Sequence, residues 1–261
     1  MCISHPVGRN GAADRDDVKT VQILLNLNLD KLPGIGPLSE DGVAGASTIA
    51  AIEAFQKRVV GMKKPDGRVD PDGPTIGKLH AGAAAGFTER HLQGVMIHAT
   101  PANVAKYFPG LQTMSASGID TPLRQAHFLS QVAHESGELR YSEEIASGAA
   151  YEGRADLGNT HPGDGVRFKG RGLIQLTGRA NYTKYGHDRK RDFISGDNPT
   201  LIATDPDLAV DVAVWFWMKH GLNALADTDD VIAVTQAING GLNGLADRKA
   251  KLLRAKCFLV R

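Results

Sequence analysis

Residues 133–144 read AHESGELRYSEE, and the function of this stretch depends on what surrounds it. Four of its twelve residues are glutamates and one is a histidine. They could form a catalytic carboxylate pair, a metal site or the charged end of an ordinary helix. The segment HESGE lacks the second histidine of the H-E-x-x-H zinc motif, and no further ligands stand nearby in the sequence. We therefore expect no metal here, which leaves the first and third alternatives open.

The residues before this stretch predict a helix that ends within it. Pro122 suits the first position of a helix capped by Asp120 or Thr121, and Gly137 suits its left-handed end. Glu135 then lies in the last turn, at the edge of an apolar face. Partial burial and the negative end of the helix dipole both disfavour a charged carboxylate, which makes Glu135 a candidate general acid. An exposed glutamate at a helix end is the alternative, and this helix alone favours it.

The composition is that of a globular protein with one large domain, or with a large and a small one. The 261 residues are 42% hydrophobic and 23% charged. A formal net charge of +1 gives no reason to expect a nucleic-acid partner. No stretch approaches the roughly 18 consecutive apolar residues of a membrane helix, so we expect no stable membrane insertion.

The two ends of the chain carry its cysteines, Cys2 and Cys257. We expect both to be reduced in a protein made in the cytoplasm, with a single disulfide between them as the alternative. The N-terminal MCISHPVGRNGAADRDD lacks a basic start followed by an apolar core, so it predicts no secretory signal peptide. If the protein acts outside the cytoplasm, another component must release it.

Residues 81–86 read AGAAAG and separate two segments of different composition. Small side chains bury little surface, so this stretch is typical of a linker, with a helical connection as the alternative. Upstream of it, the spacing of apolar residues predicts helices over residues 17–29 and 46–57.

Three upstream segments occur in an order that resembles a known domain. Asp41-Gly42 precedes Thr48 much as Asp72-Gly73 precedes Thr75, and each pair is typical of a tight turn that leads into a helix. The order VKTVQILLNLNL, SEDGVAGASTIAAIEAFQKRV and VDPDGPTIGKL resembles the small three-helix peptidoglycan-binding domain of cell-wall hydrolases.

Downstream, residues 168–182 read FKGRGLIQLTGRANY. The Gly-x-Gly within it lacks the third glycine and the strand–helix context of a dinucleotide-binding loop. We expect a short extended segment that places Gln175 and Thr177 on one side, because side chains alternate with a period of two in a strand. Two polar groups on one side suit a sugar, or a water held for attack.

Two further helices are predicted in the C-terminal part of the chain. A helix over residues 205–221 has Asp205 as its cap and an apolar face typical of the core. A second helix, capped by Asp229 or Asp230, ends at Asn239, where an asparagine commonly serves only as the C-cap.

Three motifs in order resemble glycoside hydrolase family 19, which includes plant-type chitinases and lysozyme-like bacteriophage endolysins. They are HES with a second glutamate nine positions later, GRGLIQLTGRANY, and INGGLNG followed by Asp-Arg. The versions in this chain are nearer to the endolysin branch. The resemblance implies a mainly α fold, with a three-helix peptidoglycan-binding domain over residues 1–80, a linker over 81–87, and a larger lysozyme-like catalytic domain with a deep cleft over 88–261.

The same resemblance implies roles for single residues. Glu135 is the general acid, and Glu144 or its neighbour Glu143 is the general base. Thr177 helps to hold the attacking water, and Arg248 pairs with the catalytic-site carboxylates, where its charge would keep Glu144 ionised. The residues expected to bind the acetamido sugars are Gln175, Asn181, Tyr182 and Asn239. No cofactor or metal is implied.

The function implied is that of a phage endolysin, a peptidoglycan hydrolase that cleaves β-1,4 glycosidic bonds with inversion and lyses its host. We expect a monomer that is made in the cytoplasm, acts on bacterial peptidoglycan and reaches the wall by holin-type release. A chitinase is the nearest alternative. A wall-binding protein without catalysis and a contact-delivered antibacterial toxin are the others.

Overall fold

The computed structural model describes residues 2–83 and 86–260, and these residues are mainly α-helical, as predicted. The α-helices among them are α1 (Arg15–Leu27), α2 (Ala46–Phe55), α3 (Pro74–Gly82), α4 (Glu89–Val95), α5 (Pro101–Leu111), α6 (Pro122–Glu135), α7 (Asp164–Arg167), α8 (Arg179–Arg189), α9 (Leu201–Thr204), α10 (Pro206–Lys219), α11 (Leu222–Asp227), α12 (Val231–Asn239) and α13 (Leu245–Leu259). Two short strands, β1 (Val7–Gly8) and β2 (Arg68–Val69), pair antiparallel. Within the described ranges, none of the helices combines the length and the apolarity that crossing a bilayer requires.

The chain forms two compact units, and their boundary differs from the one that the sequence predicts. One unit is His98–Leu252, and the other joins the residues up to Ile97 with those from Leu253 onward. The predicted boundary over residues 81–87 therefore lies inside the first unit. Residues 81 and 82 complete α3, whereas Ala84 and Ala85 of the predicted linker lie outside the described residues.

Helix α4 and the end of α13 belong to the first unit for a physical reason. Lys19 on α1 donates a hydrogen bond to the carbonyl of Ile97 at 2.6 Å. The ring of Phe258 lies directly over Gly94, so that a Cβ at Gly94 would come within 2.6 Å of it. A side chain at Gly94 would clash with this ring, so the end of α13 packs closely against α4.

The first unit contains the predicted helices and a repeated glutamine brace. Gln22 on α1 donates to Asp41 at 2.9 Å, to Val43 and to Thr48, and its Oε1 accepts from Gly42. These hydrogen bonds hold a tight turn against the side of α1. The glutamine is buried, and both its amide nitrogen and its amide oxygen have partners.

The second copy of the brace corrects the predicted internal repeat. Gln56 donates to Asp66 at 2.6 Å and to Thr75 at 3.3 Å, and its Oε1 accepts from Gly67 at 3.0 Å. The true counterpart of Asp41-Gly42 is therefore Asp66-Gly67. Asp72-Gly73, which the sequence pattern indicated, instead lies directly before α3. The hydrogen bond from the glutamine amide holds the pKa of Asp66 below its ordinary value, as the same bond does at Asp41.

The cysteines form a disulfide, so the expectation of reduced thiols is wrong. Cys2 and Cys257 are joined, with their Cα atoms 5.1 Å apart although 255 positions separate them in the chain. The two ends meet because both belong to the first unit. A linear sequence carries no sign of that proximity.

The second unit is built around α6 and α10. The aromatic rings of Phe128 and Trp217 meet edge to face at a centroid distance of 5.5 Å. Helix α10 packs against α5 and α9 and begins at the predicted cap, where Asp205 accepts from the amide of Asp207. The side chains of this core that have no exposure include Ala126, Phe128, Leu129, Val132, Ala133, Phe168, Leu173, Tyr185, Ala209, Val212, Ala213, Leu222 and Val234.

Candidate active site

Glu135 is the last residue of α6, as the sequence predicts. Thr121 rather than Asp120 caps the helix, and its hydroxyl accepts from the amide of Arg124 at 3.2 Å. The chain leaves the helical conformation after Ser136, and Gly137 has a φ of +57°. The side chain of Glu135 is 19% exposed, so it lies at the rim of the buried face and can reach a ligand.

Arg248 pairs with Glu135, one of the two carboxylates expected at the catalytic site, rather than with Glu144. Its Nη2 donates to Glu135 Oε1, and its Nη1 donates to Gln131 on the same helix. The Nε–H points to the carbonyl of Asn243 at 3.3 Å. Although it is an arginine, its side chain is only 2% exposed. Helix α13, which begins at Leu245, carries Arg248 to the end of α6, and this long-range contact decides which carboxylate the guanidinium meets.

Glu138, another glutamate of the stretch 133–144, has a buried carboxyl group. It lies just after α6 with a φ of +57° and is only 2% exposed. One carboxylate oxygen accepts from the backbone amide of His98 at 2.8 Å, and the other accepts from Lys251 at 3.1 Å. Glu138 therefore ties the loop after α6 to two other segments of the second unit.

The segment 168–182 turns tightly instead of running extended. Arg171 and Leu176 exchange two backbone hydrogen bonds, of 3.1 Å and 2.8 Å, which close a turn between them. Gly172 and Gln175 both have positive φ, at +76° and +56°. The predicted alternation of Gln175 and Thr177 along a strand is therefore wrong. The left-handed conformation of Gln175 reverses the direction of the chain. A polar–apolar alternation over so few residues fits a turn as well as a strand, so the sequence pattern did not reveal the turn.

Glu144 lies against this turn and is held by two neutral donors. The hydroxyl of Tyr151 donates to its Oε1 at 3.0 Å, and the amide of Gly170 donates to its Oε2 at 3.1 Å. A Cβ at Gly170 would lie 2.9 Å from Gln175 Oε1 and 3.3 Å from Glu144 Oε2, so both side chains crowd this glycine. The structure thus brings Glu144 and Gln175 together.

Tyr151 is a functional candidate that the sequence motifs do not indicate. It lies in the loop after Glu144, where the side-chain amide of Asn159 donates a hydrogen bond to the backbone carbonyl of Tyr151 at 2.9 Å. Burial, followed by the hydrogen bond to Glu144 and that residue's charge, raises the pKa of Tyr151 above its ordinary value. The phenol therefore remains a donor throughout the neutral and alkaline range in which a tyrosine is normally protonated.

Glu143 and Glu144 have different partners, which bears on the choice between them. Glu143 forms ion pairs with Arg171 at 2.8 Å and with Lys169 at 3.5 Å, and its side chain is 41% exposed. Its backbone also bridges to that of Arg171. Glu143 is thus engaged by two cations, whereas the carboxylate of Glu144 meets only neutral groups among the described residues.

The predicted sugar and water ligands fall into two groups. Thr177 donates to the carbonyl of Gln175 at 2.9 Å, and Asn181 donates to the carbonyl of Thr177 at 2.8 Å, so these three form one half-buried ridge beside the turn. Asn239 is exposed at the end of α12, before the left-handed Gly240.

Tyr182 does not belong with the sugar-binding residues. Its ring is fully buried against Phe168, with centroids 5.2 Å apart. The hydroxyl donates to the carbonyl of Lys169 at 2.8 Å and accepts from Arg171 at 3.2 Å. Because the residue has no exposed surface, its function is to support the segment that carries Lys169 and Arg171. Burial raises its pKa to about 12.

A cluster of potential metal ligands in the first unit is explained by hydrogen bonds. His5, Asp14 and Asp17 place one donor atom each within 4.8 Å of one another. Both oxygens of Asp17 accept from the backbone amides of Ser4 and His5. Asp14 caps α1 by accepting from the amide of Asp17 at 2.9 Å. The cluster therefore serves to anchor the N-terminal segment to α1.

Comparison with known proteins identifies the class of both parts of the chain. The family model described as chitinase class I, which represents glycoside hydrolase family 19, matches residues 93–238. A model for a peptidoglycan binding domain matches residues 14–72. The chain belongs to glycoside hydrolase family 19, and it carries an N-terminal peptidoglycan-binding domain.

Individual relatives agree with this assignment. A glycosyl hydrolase family 19 domain-containing protein of Haemophilus influenzae is 34% identical over 170 residues, which are 53% of this chain and 81% of that protein. Acidic endochitinase Q of Nicotiana tabacum is 31% identical over 160 residues, 53% of this chain and 58% of the chitinase. The chain thus spans only about half the length of this plant relative.

A solved structure shows the same fold. The crystal structure of chitinase C from Streptomyces griseus HUT6037 superposes with a TM-score of 0.55 at 23% sequence identity. The match covers 66% of this chain and 91% of that chain. The mostly helical architecture expected for the catalytic part is therefore confirmed.

Proposed function

We propose that this protein is a peptidoglycan hydrolase that cleaves β-1,4 glycosidic bonds in the glycan strands of the bacterial wall, with inversion at the anomeric carbon. The observation that carries the proposal is the difference between two glutamates of one stretch. Glu135 is held from one side by a buried arginine, and Glu144 is held by two neutral donors next to Gln175. We propose Glu135, whose Oε2 receives no hydrogen bond from the described residues, as the general acid, and Glu144, which lies next to Gln175, as the general base.

Glu135 donates the proton in the proposed reaction. Arg248 engages Oε1, and no hydrogen bond from the described residues reaches Oε2. Oε2 is therefore the oxygen that can carry a proton toward the glycosidic oxygen. As the C–O bond breaks, that proton passes to the leaving sugar and Glu135 becomes a carboxylate. General acid catalysis of this kind contributes about 10²- to 10⁴-fold to the rate.

Glu144 activates the water. The hydroxyl of Tyr151 and the amide of Gly170 fix the carboxylate of Glu144, which takes a proton from the water as its oxygen bonds to the anomeric carbon. Thr177 already donates its proton to a carbonyl, so its oxygen is free to accept a hydrogen bond from the same water. Inverting glycosidases need room for that water, and their two carboxyl groups generally lie about 6.5–9.5 Å apart.

The peptidoglycan-binding domain favours the bacterial wall over chitin as the substrate. An attached module raises the local concentration of the polymer that it binds, so the catalytic unit meets that polymer most often. The relatives named as endochitinases make chitin the second candidate. Both polymers present β-1,4-linked N-acetylated amino sugars, and Gln175, Asn181 and Asn239 are the residues that we propose to bind such groups in either.

The setting that we propose is lysis of a host bacterium by a phage enzyme. The protein would be synthesised in the cytoplasm, leave it through a holin-type pore and act as a monomer on the wall. The disulfide between Cys2 and Cys257 supports action outside the cytoplasm, because disulfides persist in oxidising compartments and are rare in the cytosol.

Digestion of purified peptidoglycan, with mass analysis of the products, tests the proposal. We expect new reducing ends on N-acetylmuramic acid, together with initial release of the inverted anomer in a nuclear magnetic resonance time course. Chito-oligosaccharides digested in parallel provide the comparison. Faster cleavage of these oligosaccharides would identify a chitinase, and products cut only in the peptides would exclude a glycosidase.

A further inference from the structure

The buried side of Glu135 contains a residue to which no motif points. Gln131 lies one turn before Glu135 on α6 and is fully buried. Its Oε1 accepts a hydrogen bond from Arg248 Nη1, while Arg248 Nη2 donates to Glu135. We propose that Gln131 is a positioning residue, which fixes the guanidinium of Arg248 and, through it, the carboxyl group of Glu135 for proton transfer. This inference rests on the proposed function of Glu135.

The geometry makes Arg248 a bridge between two positions of one helix. Residues four apart on a helix lie on the same face, so Gln131 and Glu135 present their side chains side by side. The guanidinium is planar and its donors have fixed directions. With its remaining contact at the carbonyl of Asn243, the group is anchored at three points. Without Gln131, only the Asn243 carbonyl and the carboxylate itself would orient it.

The other end of the Gln131 amide indicates that this residue is not there for stability. Its Nε2 is buried and has no hydrogen-bond partner in the described part of the chain. An unpaired buried donor destabilises a fold, and an apolar side chain of the same length would avoid that penalty. A guanidinium only donates, so Arg248 requires the amide oxygen and leaves the nitrogen unpaired. The need of Arg248 for an acceptor thus explains why the amide oxygen is hydrogen-bonded and why the amide nitrogen is left unpaired.

The first test removes the acceptor and keeps the shape. Gln131→Met should lower kcat about 10-fold or more, because a misplacement of ~1 Å at a reacting group can cost ~10²-fold. The KM and the Tm should change little, since substrate contacts remain and the unpaired donor disappears. Ser130→Ala is the matched control, because Ser130 is the neighbouring buried polar residue and its hydroxyl donates to the carbonyl of His127, away from Arg248. Its kcat should equal that of the wild type.

A second variant keeps the acceptor and adds a charge. Gln131→Glu still accepts from Arg248, so the variant folds with the guanidinium in place. The new carboxylate stands one turn from Glu135, and a like charge nearby favours the protonated form of a carboxyl group. A reaction that needs a protonated acid then persists to higher pH. The alkaline limb of the kcat/KM profile should therefore move upward, whereas kcat at the pH optimum should stay near the wild-type value because the acceptor for Arg248 is kept.

A third measurement does not depend on turnover. The carboxyl carbon of Glu135, labelled with ¹³C, is titrated in the wild type and in Gln131→Met, where we expect a shifted curve. If the wild type cleaves neither peptidoglycan nor chito-oligosaccharides, the proposed function fails and this titration still decides the role of Gln131. The inference is overturned by an unchanged titration in Gln131→Met, or by a kcat loss that only follows the loss of folded protein.

Discussion

Glu135 and Glu144 lie nine residues apart in the chain but reach their positions by different means. A helix with local start and stop signals places Glu135, and one distant arginine then orients it. Glu144 lies in a loop, where Tyr151 and Gly170, 7 and 26 residues away, hold it through neutral hydrogen bonds. The first position is mostly local in origin, and the second depends on the packing of separate segments.

Because the two carboxylates are held differently, different mutations should displace each of them. Glu135 depends on a buried ion pair with Arg248, so changes of charge should affect it most. Glu144 depends on a loop that is itself held by Asp164 and Asn159, so changes in loop stability should affect it most. Four predictions test this comparison, in order of decreasing effect.

Removing the acid should have the largest effect. Glu135→Gln keeps the shape and the hydrogen-bond acceptor for Arg248 but cannot deliver a proton, so turnover on peptidoglycan should fall by about 10²- to 10⁴-fold. Release of soluble muropeptides measures the loss. Binding to insoluble wall material is the control and should be unchanged, because the peptidoglycan-binding domain is untouched. Wild-type lysis by this variant would remove Glu135 from the role of acid.

Replacing the base should have the next largest effect and settles the choice between neighbours. Glu144→Gln should lower kcat by about 10²- to 10³-fold, since the water loses its proton acceptor. Glu143→Gln is the matched control, because the Glu143 carboxylate is 41% exposed and Arg171 keeps its hydrogen bonds to the Arg167 carbonyl and to Tyr182. Its kcat should stay within about 10-fold of the wild type. The reverse ranking in a side-by-side assay would assign the base to Glu143.

The local part of this site is the part that the sequence predicts well. Thr121 and Pro122 mark the start of α6 and Gly137 follows its end, so that local signals define both limits, and the apolar spacing orients the helix. Glu135 follows from these signals directly. The same holds for α10, whose Asp205 cap and Pro206 start appear as predicted. Helix signals act over one turn, which is why a linear pattern contains them.

The long-range part could not be predicted from the same patterns. The partner of Arg248 is decided by where α13 meets α6, across a sequence separation of 113. The turn at Gly172–Gln175 depends on two left-handed residues in a segment whose polar spacing also fits a strand. Tyr151 stands outside every motif and enters the site only because its loop folds back on Glu144. In each case the deciding contact joins segments whose proximity only the folded chain creates.

Acid should destabilise the loop beside Glu144. Asp164 is buried, and its hydrogen bond to Arg179 at 2.8 Å is the main cause that lowers its pKa from 3.8 to about 2. A lowered pKa stabilises the folded state above pH 3.8, and that stability is lost as the pH falls toward about 2. Asp164→Asn should therefore lower the free energy of unfolding by about 2 kcal/mol at pH 7 and by almost nothing near pH 2.

Denaturant unfolding at a series of pH values measures this difference. Asp156→Asn is the control from the same loop, because Asp156 is 61% exposed and its ion pair among the described residues is with Arg154. That variant should unfold at nearly the same denaturant concentration as the wild type at every pH, because an exposed ion pair contributes little to stability. A pH-independent difference for Asp164→Asn would mean that the ion pair does not set the acid stability of this loop.

The smallest effect should come from the tyrosine that the sequence does not indicate. Tyr151→Phe removes one donor to Glu144 and nothing else from the loop, so kcat should fall about 5-fold, equivalent to roughly 1 kcal/mol for a partly exposed hydrogen bond. Because burial, together with the hydrogen bond and the charge of Glu144, raises the pKa of Tyr151, the wild-type hydroxyl stays protonated throughout the neutral range. The ratio of wild-type to variant kcat should thus be constant between about pH 6 and pH 9. Tyr107→Phe, the same change at a buried tyrosine of α5, should leave kcat unchanged. If wild-type and Tyr151→Phe proteins have equal kcat values, the hydrogen bond from Gly170 is enough to orient Glu144. The position of the base would then depend on the backbone of the turn at Gly170 and not on the loop that carries Tyr151.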